Sequence, residues 1–421
     1  MSLTHGELCE LAERFGTPAF VYDVRDFRAR LAAVREALGP KVRLCYAMKA
    51  NPFLAAEAVA GAGDDAAAGQ TGGFADALEV CSPGELETCA SLGVGVARIV
   101  YSGVNKQPGD IERAVTLGAG TLTAESLLHL DFEEEVCATL GTTADVLLRL
   151  NANSQFGMSR EDLTWAVDQQ MASEPRWPHL RFVGLHYFVG TQRRKLRHQE
   201  RELAKLTALL DSLREDHGWE AARLEYGPGL AVPYFTDEDH GNTLAPAREL
   251  APMLAELASR MEVTVELGRF LAAGCGTYLT RAMDLKENRG TSYCILDGGI
   301  NQLTYAGQTM GMHVPRLANV TAVSRADRAG EKGEQGGEAR AWCLCGSLCS
   351  VNDVLVRNVE LPSLERGDVL AFFDAGAYAA TEGIGLFLSR DLPRIVMVGM
   401  DGEARLVREL TPTHPFNTPR S

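Results

Sequence analysis

The run Leu44-Cys45-Tyr46-Ala47-Met48-Lys49-Ala50-Asn51-Pro52 sets one lysine in an otherwise uncharged stretch that reads as a buried strand. Burying an ammonium is costly and favours the neutral amine, a nucleophile able to form a Schiff base with a carbonyl cofactor. A lysine at a strand end with its head in water is the other reading of the same residues. What surrounds the run weighs between them.

From Asp26 to about Arg281, apolar strand-like runs alternate with amphipathic helical ones, as repeated βα units do. Strand candidates are 42–47, 98–101, 146–150, 182–187 and 263–266. Between the last two, Leu203, Leu206, Leu210 and Leu213 mark one face of a helix. Beyond Arg281 short β-rich runs take over, such as 292–296, 369–373 and 394–398, so a mostly-β second domain is expected after a parallel sheet or barrel. Arg325 to Glu338, rich in Gly, Glu and Lys, reads as a mobile loop within it. Gly61 to Gly73 follows a helix and precedes a strand, which puts it on the barrel face opposite the usual active site.

At 421 residues and 46% apolar content the chain is long enough for one large domain and a second. Lysine and arginine number 41 against 56 acids, and the net charge of −15 argues against nucleic acid as a general partner. No apolar run approaches membrane-spanning length and the first residues lack a leader pattern, so a cytoplasmic protein is expected. Ten cysteines then read as reduced thiols. Cys343, Cys345 and Cys349 have no matching second half, and no metal is expected there.

Several strand ends carry what a phosphorylated, ring-nitrogen cofactor needs. Gly227-Pro228-Gly229 follows Leu224-Glu225-Tyr226 and either brings backbone N–H groups to a phosphate or forms a plain tight turn. Glu266-Leu267-Gly268-Arg269 offers an acid for a protonated pyridine nitrogen and a bidentate donor, or a strand-end ion pair. Thr191 and Tyr378 add hydroxyls suited to a phosphate cup.

In combination these motifs resemble the pyridoxal-phosphate-dependent decarboxylases of the alanine-racemase-like fold, the diaminopimelate and ornithine decarboxylase group. The resemblance runs from Phe15-Gly16-Thr17-Pro18 to about Pro393 and includes 46–51, 82–86, Asn105-Lys106, Phe156-Gly157, Gly190-Thr191, Asp297-Gly298-Gly299 with Asn301, Cys349 with Asp353, and 376–378. It implies a (β/α)8 barrel over 26–281 and a Greek-key-like β domain formed by 1–25 and 282–421. Lys49 looks like the Schiff-base lysine, with Phe188, Thr191, Gly227, Gly229, Glu266, Gly268, Arg269 and Tyr378 around pyridoxal phosphate. Cys349 looks like the general acid that reprotonates the α-carbon. The group forms homodimers in which the partner subunit supplies that cysteine and its neighbour.

Three departures bear on the substrate. Where the group has His-x-His-x-Gly-Ser/Thr, this chain reads His186-Tyr187-Phe188-Val189-Gly190-Thr191, so Phe188 stacks without any polar role. Ser350 follows Cys349 where the group has an acid for a distal ammonium, and 301–305 lacks the arginine that holds a distal carboxylate, leaving Ser350 and Tyr305 with Arg269 as substrate contacts. The run Gln192-Arg193-Arg194-Lys195-Leu196-Arg197-His198 is either a receiver for an anionic handle or an exposed helix start paired with Glu200 and Glu202. Some members, the one in butirosin biosynthesis among them, decarboxylate an aminoacyl group held on an acyl-carrier protein, and such tethering replaces side-chain recognition. The expected function is therefore decarboxylation of an amino acid without a free distal ammonium, carrier-tethered or free. An amino-acid racemase and a non-catalytic binding homologue are the alternatives.

Overall fold

The computed structural model describes residues 2–59, 74–308, 311–329, 339–361 and 364–420. The Gly61 to Gly73 stretch lies outside them. The chain divides into two units, one of Arg28–Val232 with Asn242–Leu271, the other of Met1–Phe27, Pro233–Gly241 and Ala272–Ser421.

The first unit is a closed barrel of eight parallel strands, Val42–Ala47, Ala77–Val80, Ile99–Tyr101, Thr121–Ala124, Ala144–Arg149, Leu180–Phe188, Arg223–Gly227 and Glu262–Leu267, with the last pairing back onto the first. Every residue of 77–80, 99–101 and 121–124 is buried, as strands covered on both faces are, and of the three only 99–101 reads as an apolar run. Inside, Cys45, Ala77, Val100 and Leu147 pack with Val183 into an apolar plug. Helix starts between strands follow ordinary capping: Ser82 accepts from Glu85 N ahead of Pro83, and Ser126 accepts from His129 N. The helix expected from its leucines spans Arg197–His217 and buries Leu203, Leu206, Leu210 and Leu213. Lys106 is buried, and its Nζ donates to Gly103 O and Thr123 O at 2.6 Å, tying two strand ends together.

The second unit is a nine-stranded, mostly antiparallel sheet. Ala19–Asp23 lies beside Gly276–Asn288 and runs parallel to Arg394–Val398, so chain from both ends meets in one sheet. Helix His5–Phe15 packs Leu8, Leu11 and Ala12 against Val21, Leu279, Ala371 and Val396. Each such buried leucine or valine contributes about 1.5–3 kcal/mol. Arg325 is not in a loop: it belongs to the helix Val320–Ala329, and 330–338 lie outside the described residues.

Candidate active site

Lys49 sits just past the first barrel strand, in the short turn Met48–Ala50. Its side chain is 35% exposed, and Nζ donates to Glu79 Oε2 at 2.7 Å and lies 3.6 Å from Glu266 Oε1 and 3.5 Å from Cys81 Sγ. Burial disfavours the charge, but Glu79 and then Glu266 outweigh it and hold the ammonium well above its usual range. Of the two readings open from sequence, the neutral amine and the solvated ammonium, the structure holds neither as such: two carboxylates buried beside the lysine keep it protonated in the cofactor-free chain. Glu79 is itself pushed up, by burial first and by Glu266 second.

Glu266, near the end of the last strand, accepts from His186 Nε2 at 3.0 Å, with both side chains buried. Burial, then Arg149, lowers His186 to about 3, so the ring is neutral and its Nε2 carries the proton. His186 Nδ1 has no hydrogen-bond partner among the described residues, and neither has either oxygen of Glu225, its register neighbour on the next strand. Ligand atoms of His186, Glu225 and Glu266 lie within 4.8 Å of one another. The cluster has metal-ligand types, yet the Lys49 ammonium already supplies a cation beside Glu266.

Burial, then the charge on Glu266, raises the Glu225 carboxyl to about 8 from 4.5. Its folded pKa lies above the unfolded one, so its stabilising contribution is complete below 4.5 and is lost as pH climbs through about 8. His186 acts oppositely, its contribution lost as pH falls from 6.5 toward about 3. Cofactor-free Glu225→Gln should therefore melt like wild type near pH ~5 and above it at pH ~9, the gap growing by at most about 1.4 kcal/mol per pH unit. Thermal melts of the two proteins across that range check it; parallel curves would remove the buried-acid assignment.

On the neighbouring strand ends, the centre of the Phe188 ring is 5.8 Å from Lys49 Nζ. A Cβ at Gly227 would lie 2.4 Å from Phe188 Cδ2, so only glycine lets that ring rest there. Gly229 has φ +63°, and a Cβ on it would come 1.8 Å from Gly190 O. The two loops are stitched further by Arg193 N donating to Gly229 O at 2.9 Å and by the Gln192 amide clamping Val232 O and N at 3.0 and 2.8 Å. Thr191 Oγ1 accepts from Arg269 Nε at 3.3 Å. Gly268 separates the last strand from Arg269, the first residue of a short helix.

The barrel unit thus brings Lys49, Phe188, Thr191, Gly227, Gly229, Glu266, Gly268 and Arg269 to the C-terminal ends of its strands. An amine, an aromatic face, a buried carboxylate and a hydroxyl–guanidinium pair beside glycine-rich backbone match the carbonyl, ring, ring nitrogen and phosphate of pyridoxal phosphate in kind. Glu79, Cys81 and Glu225 belong to the same cluster and were missed from sequence. For Glu79 and Glu225 a signal was present, an acid within a short buried strand; Cys81, just past its strand, gave none.

The other unit holds the remaining residues. Cys349 is exposed on a loop whose backbone is pinned by Asp353, Oδ1 accepting from Ile300 N at 2.9 Å and Oδ2 from Leu348 N at 2.7 Å. Ser350 is half-buried beside it. Tyr378 is half-buried with φ +65°, a conformation a bulky side chain rarely adopts and one that clusters at functional sites. Tyr305 is buried against Tyr234, and its hydroxyl donates to Phe373 O at 2.6 Å. Cys343 Sγ and Cys345 Sγ stand 3.7 Å apart, and burial raises the Cys345 thiol to about 12.

Residues 24–273 match the family model of the pyridoxal-dependent decarboxylase, pyridoxal binding domain. The chain belongs to the pyridoxal-dependent decarboxylases. Its relatives include a diaminopimelate decarboxylase of Pseudomonas aeruginosa, 30% identical over 88% of this chain and 85% of that one. They also include the L-glutamyl-[BtrI acyl-carrier protein] decarboxylase of Niallia circulans, 25% identical over 97% and 94%. Among solved structures, diaminopimelate decarboxylase from M. jannaschii in complex with L-lysine aligns with a TM-score of 0.78 at 25% identity, covering 96% of this chain and 91% of that one. This decarboxylase is accordingly a pyridoxal-phosphate enzyme of amino-acid metabolism with a barrel and a β unit. Among its described residues no helix is long and apolar enough to cross a membrane.

Proposed function

We propose that this enzyme removes the α-carboxylate of an amino acid whose far end is conjugated, in the first instance as a thioester on an acyl-carrier protein. One observation carries the reading. The loop 346–353 contains a single carboxylate, Asp353, and both its oxygens are committed to backbone N–H groups. A substrate with a free distal ammonium would need an acid beside Cys349, and Ser350 cannot be one. The carrier-protein substrate in the name of the Niallia circulans relative supports the same conclusion.

Pyridoxal phosphate, when bound, supplies the electron sink that accepts the pair left by the departing carboxylate. Lys49 Nζ would hold it once its proton is given up, and Glu79, 2.7 Å away, is placed to take that proton. Glu266, oriented by His186, would keep a proton on the ring nitrogen, and Phe188 would stack on the ring. Thr191, Arg269 and the backbone of Gly227 and Gly229 would receive the phosphate, with Tyr378 completing the cup. Cys349 Sγ would deliver the proton that replaces the carboxylate. Cys349 and Ser350 come from the partner subunit of a homodimer, and ten free thiols suit the reducing cytoplasm.

The test offers the holoenzyme a panel of amino acids, free and as carrier-protein thioesters, and reads carbon dioxide release by mass spectrometry. Release from thioesters alone is expected. Release from free amino acids alone would overturn the tethered reading.

A further inference from the structure

The helix Arg197–His217 begins with an exposed basic stripe that the fold itself does not use. Arg197, Arg201 and Lys205 recur every four residues on one face, Lys195 precedes them, and all four are exposed. Among the described residues none of the four makes an ion pair. Glu202, the nearest acid to Lys205 in helical spacing, is spent on Arg193, which it binds through both oxygens, and on the Tyr226 hydroxyl. Glu200 lines the groove toward Met253, Glu256 and Arg260.

The stripe is dense for so acidic a chain. With a net charge of −15, some exposed arginines elsewhere pair with carboxylates, as Arg113 does with Glu87, Arg176 with Asp131, Arg340 with Glu287 and Arg405 with Asp401, while Arg160, Arg248, Arg289 and Arg357 make no ion pair among the described residues; what sets the stripe apart is its four such cations between positions 195 and 205. Like charges at i and i+4 oppose helix formation, and so do cations at a helix N-terminus. The first turn here has no side-chain cap either. Local stability gives no reason to keep the stripe.

Its position does. Lys195 is four residues past Thr191, and the intervening segment is fixed to the Gly227–Val232 loop by the Gln192 clamp and the Arg193 N to Gly229 O bond. The basic face therefore starts at the rim of the barrel mouth that holds Lys49 and leads away along the barrel's outside.

We propose that Lys195, Arg197, Arg201 and Lys205 form the docking face for an acidic carrier protein that presents the substrate on its phosphopantetheine arm. This rests on the tethered-substrate reading above. Complementary charge at such a rim accelerates encounter and raises local partner concentration, while the arm alone enters the site.

The test compares wild type with the fourfold reversal K195E/R197E/R201E/K205E, both as holoenzymes. Three substrate forms are used: aminoacyl groups on the acyl-carrier protein of the Niallia circulans relative, the same groups as pantetheine thioesters, and free amino acids. The reversal is expected to lower kcat/KM for carrier thioesters about tenfold or more, through KM, and to abolish its salt dependence. Turnover of pantetheine thioesters should stay within about twofold, since no reversed residue touches the site. Equal kcat/KM of wild type for carrier and pantetheine thioesters, or a reversal that keeps the carrier preference, would overturn the docking face and leave the tethered reading standing. Wild-type activity on free amino acids alone would remove both.

Discussion

Lys49→Ala will purify folded and without any pyridoxal adduct that borohydride can fix. The wild-type holoenzyme, reduced and digested, should carry the cofactor mass on a peptide that contains Lys49 uncleaved. The variant should carry none, and decarboxylation should fall at least about a thousandfold, since the amine placed among Glu79, Cys81 and Glu266 is gone. Folding should survive because burial and the neighbouring Glu266 already raise the Glu79 carboxyl, so that it can take up a proton in place of the lost ammonium. A reduced adduct on another lysine of the variant would refute the assignment of Lys49.

The second large effect is expected at Cys349. Cys349→Ala should bind and link the cofactor as wild type does, because the thiol lies on an exposed loop of the β unit and the barrel cluster is complete without it. Its decarboxylation should drop by about 10²–10⁴, the usual worth of a positioned general acid. If the partner subunit supplies the thiol, mixing inactive Lys49→Ala and Cys349→Ala chains recreates one intact site per heterodimer. An equal, freely exchanging mixture then recovers about a quarter of wild-type activity, as two-fold symmetry requires. No recovery despite verified exchange would place Lys49 and Cys349 in one subunit's site.

Much of this arrangement is legible in sequence wherever a short apolar run ends in a residue that does not belong there. The strand Val42–Ala47 with the Lys49 that follows and the Glu266 near the end of 262–267 fall into that class, while the helix 197–217 is legible by the helical spacing of its leucines. Glu79 and Glu225 escaped although they obey the same rule. The four-residue strand Ala77–Val80 gives too little periodicity to declare itself, and Glu225 stands beside Gly227-Pro228-Gly229, whose glycines drew the reading to the turn. The charge state of Lys49 escaped for a different reason. It depends on carboxylates that stand 30 and 217 positions away in the chain and that only barrel closure brings within 3.6 Å. Arg325 was read as loop because the Gly- and Glu-rich composition of 330–338 spread into the helix ahead of it.

The ammonium of Lys49, clasped between Glu79 and Glu266, makes the lysine a competitor of the cofactor that it receives under the function proposed above. Without cofactor, the barrel mouth neutralises itself: the positive charge that Glu266 would find on a pyridinium is furnished by the chain's own side chain. An enzyme built this way can be synthesised and stored without an exposed, unbalanced anionic cavity. Its loading is then an exchange of one cation for another, and its affinity for cofactor is the net of that exchange.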